Sequence, residues 1–211
     1  DFKAHTAIKT EITPKSPQKQ ESLILDAVMP LKSAVLENYL KERCINIPIA
    51  RNYLKFVQFH HVEKSKKYFG LGLKNLSDSY EVLNPKLKTV IGKKDISFIP
   101  GRAGKVTSIA VFEGLTDFLS YLTDKKTLQL ENDVIVLNSV NMAERAKHFI
   151  IKKDYQKVYT FFDNDKAGQE IQESFSQLKN PIISCNHIYQ NFKDYNEYLK
   201  NLESSKSKKI T

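Results

Sequence analysis

The 211 residues are 41% hydrophobic and 27% charged and include 12 Phe and 10 Tyr, a makeup that buries a substantial core and excludes both a mini-protein and a wholly unfolded chain. The longest apolar runs, such as Ile109 to Phe112 and Val134 to Leu137, fall far short of the ~20 residues of a membrane helix. The net charge of +9 is unevenly placed: residues 31–105 carry 15 basic and 6 acidic side chains, whereas residues 106–200 carry 11 and 13.

Residues 1–30 include a Thr, Lys, Pro, Ser and Gln mixture without apolar period and read as a linker or disordered tail. The chain starts at Asp1 with no signal-peptide pattern, which suggests a fragment of a longer protein. Next, Leu31, Val35, Leu36, Tyr39 and Leu40 form one helical stripe, and Ile47 to Leu54, with Pro48 near its start, reads as a second short helix. FVQFHHV, KYFGLGL, SYEVLN and DISFI then read as short antiparallel strands, and Gly101 to Lys105 as the joint between two subdomains.

From Val106 apolar strands alternate with helices. VTSIAVF, DVIVLN, KVYTFFD and PIISCNHIY are expected strands, and Leu115 to Leu122, Met142 to Ile151, Ala167 to Leu178 and DYNEYL are expected helices. The alternation predicts a parallel α/β sheet over 106–200, with function at the carboxyl ends of its strands and a basic tail at 201–211.

Acids gather at those ends. Glu113 follows the first strand, Asp117 lies one helical turn on, Asp163 and Asp165 follow the third strand, and Asp194 follows the fourth. Crowded carboxylates repel, and a hard cation such as Mg²⁺ or Mn²⁺ relieves them while leaving positions open for phosphates. The blander alternative is that Asp163 or Asp165 caps the following helix and Asp194 the last one; Glu is a poor cap, so Glu113 needs another reason. The basic block can serve phosphates by counterion release, or be a solvated lysine surface. Cys44 and Cys185, 141 positions apart with no partner at zinc-like spacing, read as free buried thiols suited to a reducing cytoplasm. His60 and His61 alternate faces of a strand and receive no chemistry.

VFEGLTDFLSYL, VYTFFDNDKAGQ and FKDYNEYL, in this order and spacing, resemble the Toprim domain of bacterial primases over about residues 106–200. The upstream block resembles the basic subdomain that precedes Toprim in primase-like proteins of mobile elements, especially of Bacteroides relatives. Where those read Gly-Gly-Tyr-Glu, this chain has Asp78-Ser79-Tyr80-Glu81. The resemblance implies a Toprim (Rossmann-like) parallel sheet preceded by a smaller basic α+β subdomain. It implies a DNA primase making short primers on single-stranded DNA from nucleoside triphosphates, in replication or transfer of a plasmid or conjugative element. By the same resemblance Glu113, Asp163 and Asp165 hold a pair of Mg²⁺ or Mn²⁺ ions and Asp117 supports them or takes one directly, while no residues here form the family's zinc finger. Lys88, Lys93 and Lys94 are candidates for triphosphate or template contacts, and Asn75 for the same cleft. A helicase or conjugation protein is the implied partner, and no membrane. A Toprim nuclease or topoisomerase-like cleaving protein, and a non-catalytic nucleic-acid-binding module, remain alternatives.

Overall fold

The computed structural model describes residues 23–102 and 106–207. They form strands β1 (Leu23–Pro30), β2 (Lys55–His61), β3 (Lys64–Lys74), β4 (Tyr80–Asn84), β5 (Leu87–Ile91), β6 (Ser97–Ile99), β7 (Ser108–Phe112), β8 (Asp133–Val136), β9 (Lys157–Phe161) and β10 (Ile182–Ser184). The helices are α1 (Ala34–Glu42), α2 (Ile47–Tyr53), α3 (Leu115–Asp124), α4 (Ala143–Lys153), α5 (Lys166–Ser176) and α6 (Tyr195–Ser207). No helix of the described residues is long and apolar enough to cross a membrane.

Two five-stranded sheets share the work. The first, ordered β1-β2-β3-β4-β5, is antiparallel throughout. The second, ordered β10-β9-β7-β8-β6, is parallel except for β6, which runs antiparallel to β8 at the edge. Because DISFI supplies β6 to the second sheet, the passage between sheets lies at residues 92–96 rather than at the expected joint of 101–105, of which 103–105 lie outside the described residues.

Three other expectations need correction. Residues 23–30, assigned by composition to a tail, are β1, the antiparallel partner of β2; residues 1–22 lie outside the described residues. The KLKTVI run, absent from the expected strands, supplies β5. Residues 201–207 continue α6, with 208–211 outside the described residues.

The helical hairpin forms as its sequence dictates. Asn46 caps α2 by accepting the Ile49 N–H at 3.1 Å, with Pro48 in the first turn. α1 closes in a left-handed turn at Cys44 (φ 57°), where the Ile45 N–H reaches the Leu40 carbonyl at 2.9 Å and the Cys44 N–H that of Lys41 at 2.8 Å. Leu36, Tyr39 and Leu40 of the stripe are buried, as is Leu31 ahead of the helix, but Val35 is 57% exposed.

Leu71 and Leu73 of β3 join α1 and α2 in a core that continues through α3 and α6 onto one face of the parallel sheet at Ala110, Phe112, Val134, Val136 and Phe161. The opposite face, Ile109, Val111, Ile135 and Leu137, is covered by α4 and α5. Since β7 leads through α3 on one face to β8, and β9 leads through α5 on the other face to β10, the chain diverges between β7 and β9. The carboxyl ends of those two strands are the topological switch point, where an open α/β sheet presents its crevice.

Candidate active site

Phe112 and Phe161 are register partners at the ends of β7 and β9, and their rings stack at 4.4 Å. This buried pair holds the following residues side by side: the Glu113 N–H donates to the Phe161 carbonyl at 3.2 Å, and the Asp163 N–H donates to Glu113 Oε2 at 3.1 Å. Two sequence-distant acids are thereby fixed next to each other at the switch point.

Each loop then turns into a helix. Gly114 precedes α3 with no side-chain cap, and Asp117 lies buried in the first turn, its Oδ1 accepting the Asn196 N–H at 3.2 Å. A methyl group on Gly114 would stand 2.7 Å from Asp117 Oδ2, so glycine lets this carboxylate sit against the turn. Asp165 does cap α5, accepting the Gly168 N–H at 3.1 Å through Oδ1 while Oδ2 faces Lys193 Nζ at 3.5 Å. Gly168 permits the first turn of α5 to rest on Asp163: a Cβ there would lie 2.8–2.9 Å from the Asp163 carbonyl carbon and nitrogen. Asp194 caps α6 through the Glu197 N–H at 2.8 Å, the role its position predicts, yet it also lines the cleft.

The cleft has a volume of about 590 Å³. Glu113, Asp117, Asp163 and Asp194 line it together with Lys88 and Thr89 of β5 and with Lys94. The missed strand β5 therefore contributes to the basic lining of the cleft. Lys94 Nζ is held 3.2 Å from the buried Glu81. Lys93 is exposed and outside this lining. Asn75 is placed elsewhere. It is buried, its amide donating to Glu81 Oε1 and the Lys93 carbonyl and its oxygen accepting from the Ser77 and Ser79 N–H groups, so its bonding capacity is filled by the scaffold. His60 pairs with Asp26 at 2.7 Å. Cys185 is buried and its thiol pushed up to about 11 by desolvation; Cys44 is half-buried.

The electrostatics are those of crowded carboxylates. Burial and then repulsion from Glu113, Asp194 and Asp165 push Asp163 up to about 7. Burial raises Asp117 well above the ordinary carboxylate range, with Asp194 and Asp163 adding to it, and burial also raises Glu113, which Lys88 partly offsets. The half-buried Asp165 is lowered instead, first by the Gly168 N–H. Lys193, not singled out in the sequence, is the cation that answers this charge, 4.0 Å from Asp163 and 3.5 Å from Asp165. Asn196 was also missed. Its side chain ties the Arg43 carbonyl and Ser120 hydroxyl to α6, with Arg43 Nη1 donating to its oxygen, while its N–H holds Asp117. Both lie in the FKDYNEYL segment, where a Lys-Asp pair before a helix and an internal Asn were the available signals.

A set of hard carboxylate oxygens that repel one another fits a hard divalent cation such as Mg²⁺ or Mn²⁺. Among the described residues no three His, Cys, Asp or Glu side chains converge as a ready-made ion cage.

A Toprim-like family model matches residues 110–199. Residues 110–199 are a Toprim-like domain. Residues 25–92, the antiparallel sheet with its helical hairpin, match a domain of unknown function, DUF8464. Among solved structures the chain resembles the primase fragment of the bacteriophage T7 primase-helicase protein at 17% identity and a TM-score of 0.56, covering 82% of this chain and 72% of that one. It also resembles a chain in the structure of T7 lagging-strand DNA polymerase interacting with primase domains bound to an RNA/DNA hybrid and dTTP, at 16% identity, a TM-score of 0.53, and coverage of 78% and 85%. At these identities the likeness establishes a primase-type fold, which includes the α+β region preceding the Toprim-like domain. No curated protein matches in sequence.

Proposed function

We propose that the chain is the catalytic core of a DNA primase, a nucleotidyltransferase that joins nucleoside triphosphates into short primers on single-stranded DNA. The observation that carries the reading is the mixed lining of one cleft, in which Glu113 and Asp163 at the switch point of the Toprim-like domain share about 590 Å³ with Lys88 and Lys94, a volume suited to a nucleotide-sized ligand. The primase-type fold supports it further.

In this reading Glu113, Asp163 and Asp165 would hold Mg²⁺ or Mn²⁺, with Asp117 in support. A cation bound there would offset triphosphate charge and stabilise the in-line displacement. The chain's own work is positioning. Lys88 meets phosphate as a point charge, and Lys94 is oriented for the same task by buried Glu81. Lys193 screens Asp163 and Asp165 from each other, and the Asn196 N–H and Gly114 fix Asp117 beneath them. Replication or transfer of a plasmid or conjugative element, with a helicase-type partner, is the setting the reading favours, in keeping with neighbours described as a primase-helicase and as primase domains interacting with a DNA polymerase.

The test is incubation of the protein with single-stranded DNA, all nucleoside triphosphates, a labelled tracer, and Mg²⁺ or Mn²⁺. New metal-dependent oligonucleotides are expected. Shortened template without new product would replace this reading with a nuclease.

A further inference from the structure

Val35, Tyr39 and Arg43 stand four residues apart on one face of α1 and its cap. Tyr39 and Arg43 line a small cavity of about 110 Å³ together with Lys88 and Thr89, which also line the acidic cleft. Val35, at the other end of the stripe, lines an outer groove of about 490 Å³ with Lys66, Lys67, Phe69 and Lys86. Strand β5 thus connects the two concavities, with Leu87 in the outer groove and the next residues, Lys88 and Thr89, in the acidic cleft.

That outer groove has the chemistry of a stacking platform. Among the described residues no Asp or Glu lines it, and Lys66, Lys67 and Lys86 are in no ion pair. Phe69 is 39% exposed, with its ring stacked on Phe56 at 5.5 Å, and Lys66 Nζ lies 5.6 Å from the Tyr68 ring centre. Between groove and cleft, the Arg43 Nε is buried without an acceptor among the described residues, although Nη1 is held by Asn196. Lysines interleaved with an exposed, supported aromatic ring suit a polymer that is anionic along its backbone and carries flat apolar faces.

Resting on the primase reading, we propose that the groove of Val35, Lys67, Phe69 and Lys86 is an outer subsite for single-stranded nucleic acid, joined to the acidic cleft along β5. Phosphates meet Lys67 and Lys86, and an unpaired base stacks on Phe69.

The experiment is fluorescence anisotropy of the whole chain with a labelled oligothymidylate of about 16 nucleotides, a length at the upper end of what one such platform engages. A duplex of equal length, an acidic peptide and a labelled nucleoside triphosphate serve as comparisons. Lys67→Ala with Lys86→Ala should weaken single-strand binding about tenfold and flatten the plot of log affinity against log salt by about 1.4, as expected for two lost phosphate contacts. Phe69→Ala should cost about fivefold or more, and Phe69→Leu, which keeps apolar packing on Phe56 but removes the ring, should also weaken binding. Triphosphate binding should be unchanged in all three. Unaltered single-strand affinity in the lysine pair and in Phe69→Leu would overturn the proposal, as would equal binding and equal loss for the duplex, or groove-dependent binding of the acidic peptide alone. The two readings fail separately: groove-dependent strand binding without primer synthesis sinks the primase reading only, whereas synthesis indifferent to the groove variants sinks the subsite only.

Discussion

Replacing Gly168 by alanine sets two physical effects against each other. Helix propensity alone favours alanine by about 1 kcal/mol in a helical position. The packing opposes it, because the added Cβ would lie 2.8 Å and 2.9 Å from the Asp163 carbonyl carbon and nitrogen and closer still to its carbonyl oxygen, where ordinary contact starts at 3.4 Å. All three are backbone atoms with no rotamer to yield, so α5 or the Asp163 turn must shift by more than half an ångström. Overpacking of this kind costs about 1–3 kcal/mol, which leaves a net destabilisation of about 0–2 kcal/mol. For a chain of this size that is a fall of up to about 8 °C in Tm. The displaced atoms carry Asp163, and misplacement on the ångström scale costs on the order of a hundredfold in rate, so primer synthesis should fall at least tenfold. Thermal unfolding and initial rates on the same preparations check both numbers. An alanine variant that is more stable than the parent and fully active would refute the close approach of α5 to the acidic turn.

In the metal-free protein Asp163 titrates near 7 instead of its ordinary 3.8. The folded state therefore keeps a proton that the unfolded state loses; the penalty is absent below about pH 4, grows between pH 4 and 7, and is complete above 7. Asp163→Asn should accordingly raise metal-free stability at pH 8, on the order of 1–3 kcal/mol after solvent screening, and not at pH 4, as urea titrations at both pH values would report. The same proton must leave before a cation binds, so Mn²⁺ affinity measured calorimetrically should rise with pH through about 7. Asn138 has φ 64° and donates to the Asp95 carbonyl and the Ser97 hydroxyl where the sheets join. Asn138→Ala should cost about 2–3 kcal/mol and Asn138→Gly less, read from chemical unfolding. Cys44, at φ 57° in the turn closing α1, should tolerate Cys44→Gly with a gain of about 1 kcal/mol, read as a higher Tm.

The Toprim-like half was legible because its strands are buried on both faces: runs such as Ile109 to Phe112 carry an unambiguous apolar signal, and the acids follow them directly. β1 was hidden because it is an edge strand whose residues are mostly exposed, with Ile24, Leu25, Val28 and Met29 all near 40%, so no alternation marks a buried face. β5 was hidden because only Ile91 is buried and Lys88 interrupts it, yet this half-exposed character is what lets Lys88 line the cleft. Membership of β6 in the parallel sheet is a tertiary fact set by pairing with β8, beyond the reach of local pattern. Within the site, the spacing of Glu113, Asp163 and Asp165 was readable, as was the capping role open to Asp165 and Asp194. Asn75 was misread because a buried amide that knits a turn looks, in sequence, like any polar residue after a strand. Lys193 and Asn196 were missed because their partners lie about 28–30 and 76–153 residues away, and only the folded chain brings them together.

The most direct measurement compares the parent with the combined Asp163→Asn and Asp165→Asn variant in primer synthesis on single-stranded DNA, with circular dichroism confirming that both are folded. The account predicts labelled, metal-dependent oligonucleotides from the parent and none from the folded variant. Equal product from both would contradict it, for the chemistry would then lie away from the switch point between β7 and β9.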